Sequence, residues 1–521
     1  MNNNSIFFIA YQDQENLGIG YLSSMLATHN YEVDIINIRS ERQQIIQKIK
    51  DAEPLIVGFS LIFQFHLPLF RDLARDLRVN NVKSHFTVGG HYPSLRYHDT
   101  LTLIPEMDSI VRFEGEYTIC ELANCLQTGK NWKGIDGIAY RKNGRPISNK
   151  LRPMIDNLDA LPFPMRRNQT EFNCMGVNYV TILASRGCIR NCSFCSVRKF
   201  YTTPPGKIRR TRTPKNVIEE MIFLNSKYGT KIFLFQDDDF ILPGNVGRKW
   251  INEFLRELDK NGLNNSIIWK ISCRVDEINA DLIQDMISRG LFLVYFGLES
   301  GNDVGLSLLN KEITISDSIR AIELLKRLGV NYEYGFMLFD PSSTFDLVRK
   351  NINFLRRICG DGSAPIVLTK MLPLAETPIK KSLEAEGRLK GPSFSPDYDF
   401  TSPLMDMYCD FLTQLFHEWM FSHQGMLARL RWHRFEVSVL DKFYPHAIGI
   451  SEYKKTLAEI IASSNKLFFQ VAEEASKLFE EGASWYYNEI RDLKEYHRWE
   501  LEAIMNRLFK EMQEFQKNQK K

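Results

Sequence analysis

The feature that most restricts the fold is an alternation of short apolar runs with helical periods, present twice along one chain. In the first series, apolar runs at 5–10, 32–38, 55–59, 85–88 and 109–113 alternate with helical periods at 18–29, 42–50 and 67–78. Such alternation predicts a parallel, doubly wound sheet, because a parallel neighbour can only be reached through a crossover helix. The second series places strands at 179–184, 231–236, 267–272, 293–297, 332–338 and 366–371, with helices at 214–228, 247–261, 280–289, 316–328 and 344–358. Six strands with five intervening helices predict a partial (β/α)6 barrel whose chemistry sits at the C-terminal ends of its strands.

The 521 residues correspond to three or four domains at roughly 150 residues each. Residues 1–150 form a Rossmann-like domain ending in a polar hairpin at 137–148, with Asn143-Gly144 as its turn. Residues 151–175 form a linker containing Leu161-Pro162-Phe163-Pro164, residues 176–395 the partial barrel, and residues 396–521 a C-terminal α-helical domain with a charged tail. Within that last domain Tyr408, Phe411, Phe416, Trp419 and Phe421 recur at helical spacing and read mainly as core, with part of the stripe free to wall a pocket.

Sixty-six Lys and Arg against sixty-three Asp and Glu leave a net charge of +3, which offers no basis for nucleic-acid binding. The apolar run at 6–10 has no basic residue before it, and no apolar run reaches 18 residues. A cytoplasmic protein without a transmembrane segment is expected. Nine cysteines are too few for a disulfide framework. Three of them, Cys188, Cys192 and Cys195, fall within eight residues directly after the first barrel strand. Close thiolates on one loop suit iron or zinc, and three ligands leave a coordination position open. Structural zinc ordinarily takes four protein ligands in paired C-x2-C knuckles, and no His follows Cys195 at the usual distance.

The segment Arg186-Gly187-Cys188-x3-Cys192-x2-Cys195, with Phe194 before the last cysteine, resembles the signature of the radical S-adenosylmethionine enzymes. That resemblance implies a [4Fe–4S] cluster on Cys188, Cys192 and Cys195, with S-adenosylmethionine on the iron they leave free. Phe235-Gln236-Asp237-Asp238-Asp239-Phe240 and Phe296-Gly297-Leu298-Glu299-Ser300-Gly301 are similar to two further segments of the family, and Leu308-Leu309-Asn310-Lys311 to the continuation of the second. They imply S-adenosylmethionine contacts at Phe194, Asp238, Glu299 and Ser300, with the charge of Glu299 stabilised by a cationic amino group. Leu372-Pro373-Leu374-Ala375-Glu376-Thr377-Pro378 resembles the loop after the last strand. Many relatives carry Gly-x-Pro-Gly-Glu-Thr where this chain has Asp340-Pro341-Ser342-Ser343-Thr344, so Pro341 is expected to keep the turn without the glycines.

The N-terminal domain resembles the cobalamin-binding domain fused to one large subgroup of these enzymes. The likeness rests on Leu17-Gly18-Ile19-Gly20-Tyr21-Leu22, Val88-Gly89-Gly90-His91-Tyr92-Pro93-Ser94 and Val111-Arg112-Phe113-Glu114-Gly115-Glu116. It implies cobalamin contacts at Leu17, Gly18, Ser60, Leu61, Gln64, Gly89, Gly90, His91, Tyr92, Glu114 and Gly115. The Asp-x-His-x-x-Gly motif is absent, so no histidine-ligated cobalt is expected. The two resemblances span about residues 5–390 and point to methylation of an unactivated carbon. One S-adenosylmethionine would remethylate cob(I)alamin, and a second would yield the 5′-deoxyadenosyl radical. The substrate radical would then take the methyl group of methylcobalamin.

Other readings compete. A cyclase, ring-contraction or carbon–carbon bond-forming enzyme would use the same cofactors without methyl transfer. A methylthiotransferase would need a second cluster from Cys120, Cys125 and Cys174, but Cys120 and Cys125 do not share a helix face. They read as free thiols, as do Cys273, Cys359 and Cys409. A catalytically silent sensor is disfavoured by the intact trio. His91 could touch the corrin or simply cap its loop, and Phe63 and Phe65 could be core. Of Asp237, Asp238 and Asp239, at least two read as strand-end solvation or helix capping. The run Lys207, Arg209, Arg210 and Arg212 reads as cofactor-side or solvated. Expected partners are a small-molecule, lipid or peptide substrate and an electron donor such as flavodoxin or ferredoxin.

Overall fold

The computed structural model describes residues 4–12, 15–166 and 172–481, with scattered positions between 499 and 514. Part of the expected linker and most of the charged tail lie outside the described residues.

The first series builds a seven-stranded sheet in the order β2-β1-β3-β4-β5-β6-β7. Its strands are β1 (Ser5–Ala10), β2 (Glu32–Asn37), β3 (Ile56–Ser60), β4 (His85–Gly89), β5 (Ser109–Val111), β6 (Ile138–Lys142) and β7 (Arg145–Ser148). The first five pair in parallel, and the β6–β7 hairpin adds two antiparallel strands at one edge. Helices α1 (Leu17–Thr28), α2 (Arg42–Ala52), α3 (Leu67–Val79), α4 (His91–Leu95), α5 (Tyr97–Leu103) and α6 (Glu116–Gln127) connect them. Both faces of the sheet are covered. Phe70, Leu73 and Leu77 pack on one face, and Leu26, Ile119 and Leu122 on the other, so β1 is apolar along nearly its whole length instead of alternating. The strand order reverses between β1 and β3, which opens a crevice beyond their C-terminal ends.

The second series forms a half-barrel in the order β15-β14-β13-β12-β9-β8. The strands are β8 (Asn173–Cys174), β9 (Val177–Ile182), β12 (Ile232–Phe235), β13 (Ile268–Cys273), β14 (Leu291–Glu299) and β15 (Asn331–Phe336). A two-residue ribbon, β10 (Ser185–Arg186) with β11 (Arg210–Thr211), brackets the cysteine loop and α7 (Val197–Thr202). Helices α8 (Pro214–Tyr228), α9 (Gly244–Lys260), α10 (Ala280–Ile287), α11 (Asp303–Leu308), α12 (Ile315–Leu328) and α13 (Phe345–Cys359) cover the outside.

The sixth expected strand, at 366–371, is not formed. It meets the sheet at one parallel bridge, Phe339 to Lys370, because the chain turns at 340–343 before a ladder can lengthen. In that turn the Asp340 side chain accepts the Ser342 N–H at 2.8 Å and Ser343 Oγ accepts the Asp340 N–H at 2.9 Å. These side chains do locally what the missing glycines do elsewhere.

After α14 (Pro378–Ala385) come α15 (Pro403–Leu415), α16 (His417–Phe421), α17 (Met426–Phe443) and α18 (Ile450–Glu480). They share one continuous core with the half-barrel: Leu412, Phe416 and Phe468 belong to the same cluster as Val348 and Leu355. Helix α17 lies under the strand starts, where Val439 packs with Val177, Ile232 and Ile268 and Arg434 donates to the Tyr332 carbonyl at 3.0 Å. The lumen of the half-barrel thus has a helical floor. Among the described residues no helix is long and apolar enough to cross a membrane.

Candidate active site

The cysteine loop leaves the ribbon at Gly187, whose φ of +88° and whose missing side chain are both needed: a Cβ there would lie 2.0 Å from the Ile208 carbonyl oxygen. The loop is fastened from several sides. Gly187 N–H donates to Asp238 at 3.0 Å, Ser193 N–H to the Leu309 carbonyl at 2.9 Å, and Ile379 N–H to the Ser193 carbonyl at 3.1 Å. Asn310 donates to the Asn191 carbonyl at 2.7 Å, and Arg190 pairs with Glu277 at 2.8 Å. Cys188, Cys192 and Cys195 are all half-buried free thiols. Burial pushes the Cys188 thiol up to about 11, opposed by the Arg190 N–H, and the Cys195 thiol up to about 12, opposed by the Val197 N–H. Burial also raises Cys192, with Lys311 and Arg274 acting the other way.

Three half-buried thiols close enough to raise one another, with backbone donors on the loop, favour thiolates only when a cation compensates, and iron does so.

Beside the loop, Glu299 ends β14 with a positive φ of +67°, and its carboxylate lies 3.2 Å from Lys311 Nζ. A Cβ at Gly297 would meet Glu299 Oε1 at 2.3 Å and Lys311 Nζ at 2.7 Å, so that glycine makes room for the pair. Burial alone would lower the Lys311 ammonium, but Glu299 and Cys192 outweigh it and hold it above its ordinary value. The cation beside Glu299 is therefore one the protein itself supplies, and sequence reasoning missed it although Lys311 stood in a quoted motif.

The other expected residues separate. Phe194 is half-buried and packs on the barrel core, and Asp238 stays exposed while one oxygen fixes Gly187. Asp237 accepts from the Ala184 N–H at 3.1 Å and from the Ser185 hydroxyl, and Asp239 is buried. Two of the three acids are thus interior, contrary to the expected solvation or capping. Ser300 has no exposed surface and sits in a network with Asn302 and Asn351, which leaves it nothing to offer a ligand.

In the crevice, Gly90 has φ +111°, and a Cβ on it would lie 2.4 Å from the Leu61 carbonyl oxygen. The β3 and β4 loops are laced together there, Leu61 N–H to the Gly89 carbonyl at 2.9 Å and Tyr92 N–H to the Ile62 carbonyl at 3.2 Å. Ser60 and Gly89 are half-buried, Gly18 is exposed, and Leu17 and Leu61 are buried. Phe63 and Phe65, weighed as core, are exposed and stack at 5.3 Å. The buried amide nitrogens of Gln12 and Gln64 have no hydrogen-bond partner among the described residues. Apolar surface and orphaned donors at a switch point fit a large, partly polar ligand such as a corrin.

Three expected cobalamin contacts are instead turned toward the barrel. The Gln64 carbonyl oxygen accepts the Ala375 N–H at 2.9 Å, and Tyr92 OH approaches Ser393 Oγ at 3.5 Å. The Glu114 carboxylate is taken up by Arg186 at 3.0 Å, Arg210 at 2.7 Å and the Ile155 N–H at 2.7 Å, while Glu116 also pairs with Arg186 at 2.7 Å. Gly115 is buried beside Val111. A second buried cluster links Glu15 through Arg166 to Glu220 and Arg212. The basic run is thus split: Arg210 and Arg212 are buried in ion pairs and only Lys207 is well exposed, which corrects the expected solvated or cofactor-side role.

His91 stacks on Phe200 of α7 with ring centres 4.0 Å apart and 5° between planes. Burial lowers its imidazole to about 4, so it is neutral at pH 7. Phe200 lies in α7, which begins two residues after Cys195, and Phe113 of the β5 loop also reaches it, at 5.0 Å. The crevice and the cysteine loop therefore share a wall.

Residues 6–123 match the B12 binding domain family and residues 182–355 the Radical SAM superfamily. The chain is 31% identical over 347 residues to an uncharacterized methyltransferase of Pyrococcus horikoshii, spanning 66% of this chain and 73% of the relative. It is 28% identical over 354 residues to the anaerobic magnesium-protoporphyrin IX monomethyl ester cyclase of Rubrivivax gelatinosus, spanning 65% and 61%. Among solved structures, the cobalamin-dependent S-adenosylmethionine radical enzyme OxsB with aqua-cobalamin and S-adenosylmethionine bound superposes with a TM-score of 0.69 at 16% identity, covering 98% of this chain and 80% of that one. The radical S-adenosylmethionine methyltransferase TsrM of Kitasatospora setae, with cobalamin and a [4Fe-4S] cluster bound, gives 0.61 at 15%, covering 74% and 78%. At these identities the two structures attest the fold. The two family matches imply a [4Fe–4S] cluster, S-adenosylmethionine and cobalamin as cofactors.

Proposed function

This chain belongs to the cobalamin-dependent radical S-adenosylmethionine enzymes, and from that premise we propose that it transfers a methyl group to an unactivated carbon of its substrate. When bound, the cluster and S-adenosylmethionine supply a carbon-centred radical and cobalamin carries the methyl group. Cys188, Cys192 and Cys195 would hold the cluster. Phe194, Asp238 and Glu299, with Lys311 beside it, would position S-adenosylmethionine. Leu17, Gly18, Ser60, Leu61, Gly89, Gly90 and His91 would form the corrin cradle. Gln64, whose carbonyl oxygen is engaged by Ala375, would add its unpartnered amide nitrogen to that cradle, whereas Ser300, Tyr92, Glu114 and Gly115 are left out of the ligand set, since each is buried or engaged by protein partners.

The observation that carries this reading is the shared wall. A radical and a methyl donor generated in separate compartments could not meet, and the stack of His91 on Phe200 puts the crevice loop against the helix that follows the cysteine loop, which supports a single chamber. The buried ion cluster of Arg186, Arg210, Glu114 and Glu116 supports a fixed orientation of the two domains, since each charge is satisfied in only one arrangement. An electron donor of the flavodoxin or ferredoxin type would reduce the cluster.

Bond formation without methyl transfer is a second reading, favoured by the similarity to the cyclase. Anaerobic reconstitution with iron, sulfide and hydroxocobalamin, then turnover with methyl-deuterated S-adenosylmethionine and a reductant in the presence of a cell extract, separates the two. Methyl transfer predicts 5′-deoxyadenosine together with S-adenosylhomocysteine, and a deuterated product heavier by a CH2 unit when counted without the label. Deoxyadenosine without S-adenosylhomocysteine would favour the second reading.

A further inference from the structure

The proposal concerns the lumen of the half-barrel, and it rests on the reading of the active site given above. The lumen-facing side chains of adjacent strands are set side by side by the register: Ser272 pairs with Tyr295 and Tyr295 with Glu333, while Lys270 lies two residues below Ser272 on the same face of β13. All four remain half-buried, in contrast to their outward-facing neighbours Ile271, Val294 and Tyr332, which are packed in the core. The floor helix α17 adds Arg431, whose Nε is 3.9 Å from Glu333 Oε2 and whose Nη2 donates to the Tyr334 carbonyl at 3.3 Å. From these positions we propose that the lumen binds an anionic group of the substrate, a carboxylate or a phosphate, through Lys270, Tyr295 and Arg431.

Unbonded charge is the first argument. Beside the two cations, Lys270 and Arg431, stand the carboxylates Glu333 and Asp237; Asp237 is taken up by the Ala184 N–H and the Ser185 hydroxyl, and Glu299 by Lys311. Glu333 stands at the long limit of an ion pair with Arg431. Lys270 makes no ion pair among the described residues; its ammonium has only the Ser272 hydroxyl at 2.9 Å and the Phe235 carbonyl at 3.4 Å. It therefore keeps donor capacity, and its Nζ lies 5.5 Å from the centre of the Tyr295 ring. Glu333 and Asp237 act on this ammonium from a distance without bonding to it, and burial lowers it from its ordinary value, so an anion bonded directly to it offsets a cost the lumen otherwise bears.

Unused hydrogen-bonding capacity is the second. The Tyr295 hydroxyl has no hydrogen-bond partner among the described residues, although it reaches so far across the sheet that a Cβ at Gly335 would lie 2.7 Å from it. Burial pushes this phenol up to about 12, so it remains a donor at neutral pH. One ammonium and one phenol thus stand together on adjacent strands, with the Arg431 guanidinium beside Glu333 on the next strand, and all three donate. The helical floor acquires a role: it completes the substrate site with Arg431.

The test is competitive acetylation of the reconstituted holoenzyme, carrying cluster, cobalamin and S-adenosylmethionine, by trace acetic anhydride with peptide mass spectrometry. Inorganic phosphate and formate are the two probes. At saturation, at least one is expected to slow acetylation of Lys270 about tenfold or more, the size of one charge-assisted hydrogen bond, and to leave the exposed Lys215 unchanged. Stronger protection by phosphate assigns a phosphorylated substrate, and stronger protection by formate a carboxylate. Arg431→Met should remove the protection and Glu333→Gln should strengthen it. Equal labelling of Lys270 with and without both anions, in enzyme whose iron and cobalamin contents are full, overturns the proposal alone. Failure to load the cofactors overturns the reading beneath it and is seen in the metal content of the same sample.

Discussion

The crevice of the N-terminal sheet and the cysteine loop of the half-barrel both lie at the C-terminal ends of parallel strands, and both begin with a glycine that no other residue can replace. They differ in what surrounds the glycine. In the cysteine loop the residues next to Gly187 in sequence are the candidate ligands, and distant elements hold the loop by bonding to its backbone. In the crevice the loop residues are divided: His91 stacks on Phe200 beside the cysteine loop, while Gln64, Tyr92 and Glu114 bond to residues of the second half of the chain. A metal centre needs its ligands on one short segment; a domain carrying a large cofactor also needs a docking surface, and the same loops provide it.

The comparison can be broken first at the metal side. Cys188→Ala should reduce reductive cleavage of S-adenosylmethionine to background while cobalamin still binds, as read by deoxyadenosine formation and by the absorbance of the bound corrin. Gly90→Ala should do the reverse. Its Cβ would meet the Leu61 carbonyl at a φ of +111°, a strain of about 1–3 kcal/mol, so cobalamin affinity should fall about tenfold or more while the iron content is retained.

Glu114→Gln probes the docking surface. It leaves Arg210 buried without a carboxylate, and a loss of about 3 kcal/mol of stability is expected in denaturant unfolding. Burial would raise the Glu114 carboxyl, but Arg186 and Arg210 outweigh it and hold it below the usual value. A depressed native pKa gives stability that is present above the unfolded value, near 4.3, and lost as pH falls through the native one. The acid-side slope of the unfolding midpoint should therefore flatten in Glu114→Gln.

The smallest effect is expected for His91→Phe, which keeps the stack on Phe200. The native imidazole titrates at about 4 against about 6.5 when unfolded, so wild-type stability should fall as pH drops from about 6.5 toward 4. The variant should lose that dependence while its stability at neutral pH stays close to the wild type's.

Much of this was legible in the sequence because it is local. The alternation of runs located the parallel strands of both sheets, and three cysteines on eight residues need no tertiary knowledge to be grouped. Pairing across distance was not legible. The segment 366–371 has the composition of a strand, yet only the position of the turn at 340–343 decides that it forms one bridge. Glu114 and Arg210 are 96 residues apart, and nothing in either neighbourhood announces the other. Ser300 reads as a ligand by its motif, but its burial against Asn351, 51 residues on, is a packing outcome. Lys311 could have been found, since a carboxylate placed on a strand end beside a lysine motif invites the pair. The role of the C-terminal helices was hidden altogether, because a floor is defined by what it lies under.

The central claim is that the corrin crevice and the cysteine loop open onto one chamber, and electron paramagnetic resonance tests it most directly. In enzyme carrying both cob(II)alamin and the reduced cluster, the account predicts mutual broadening or splitting of the two signals, absent in Cys188→Ala. Two spectra that simply add, with neither perturbed by the other, would contradict it.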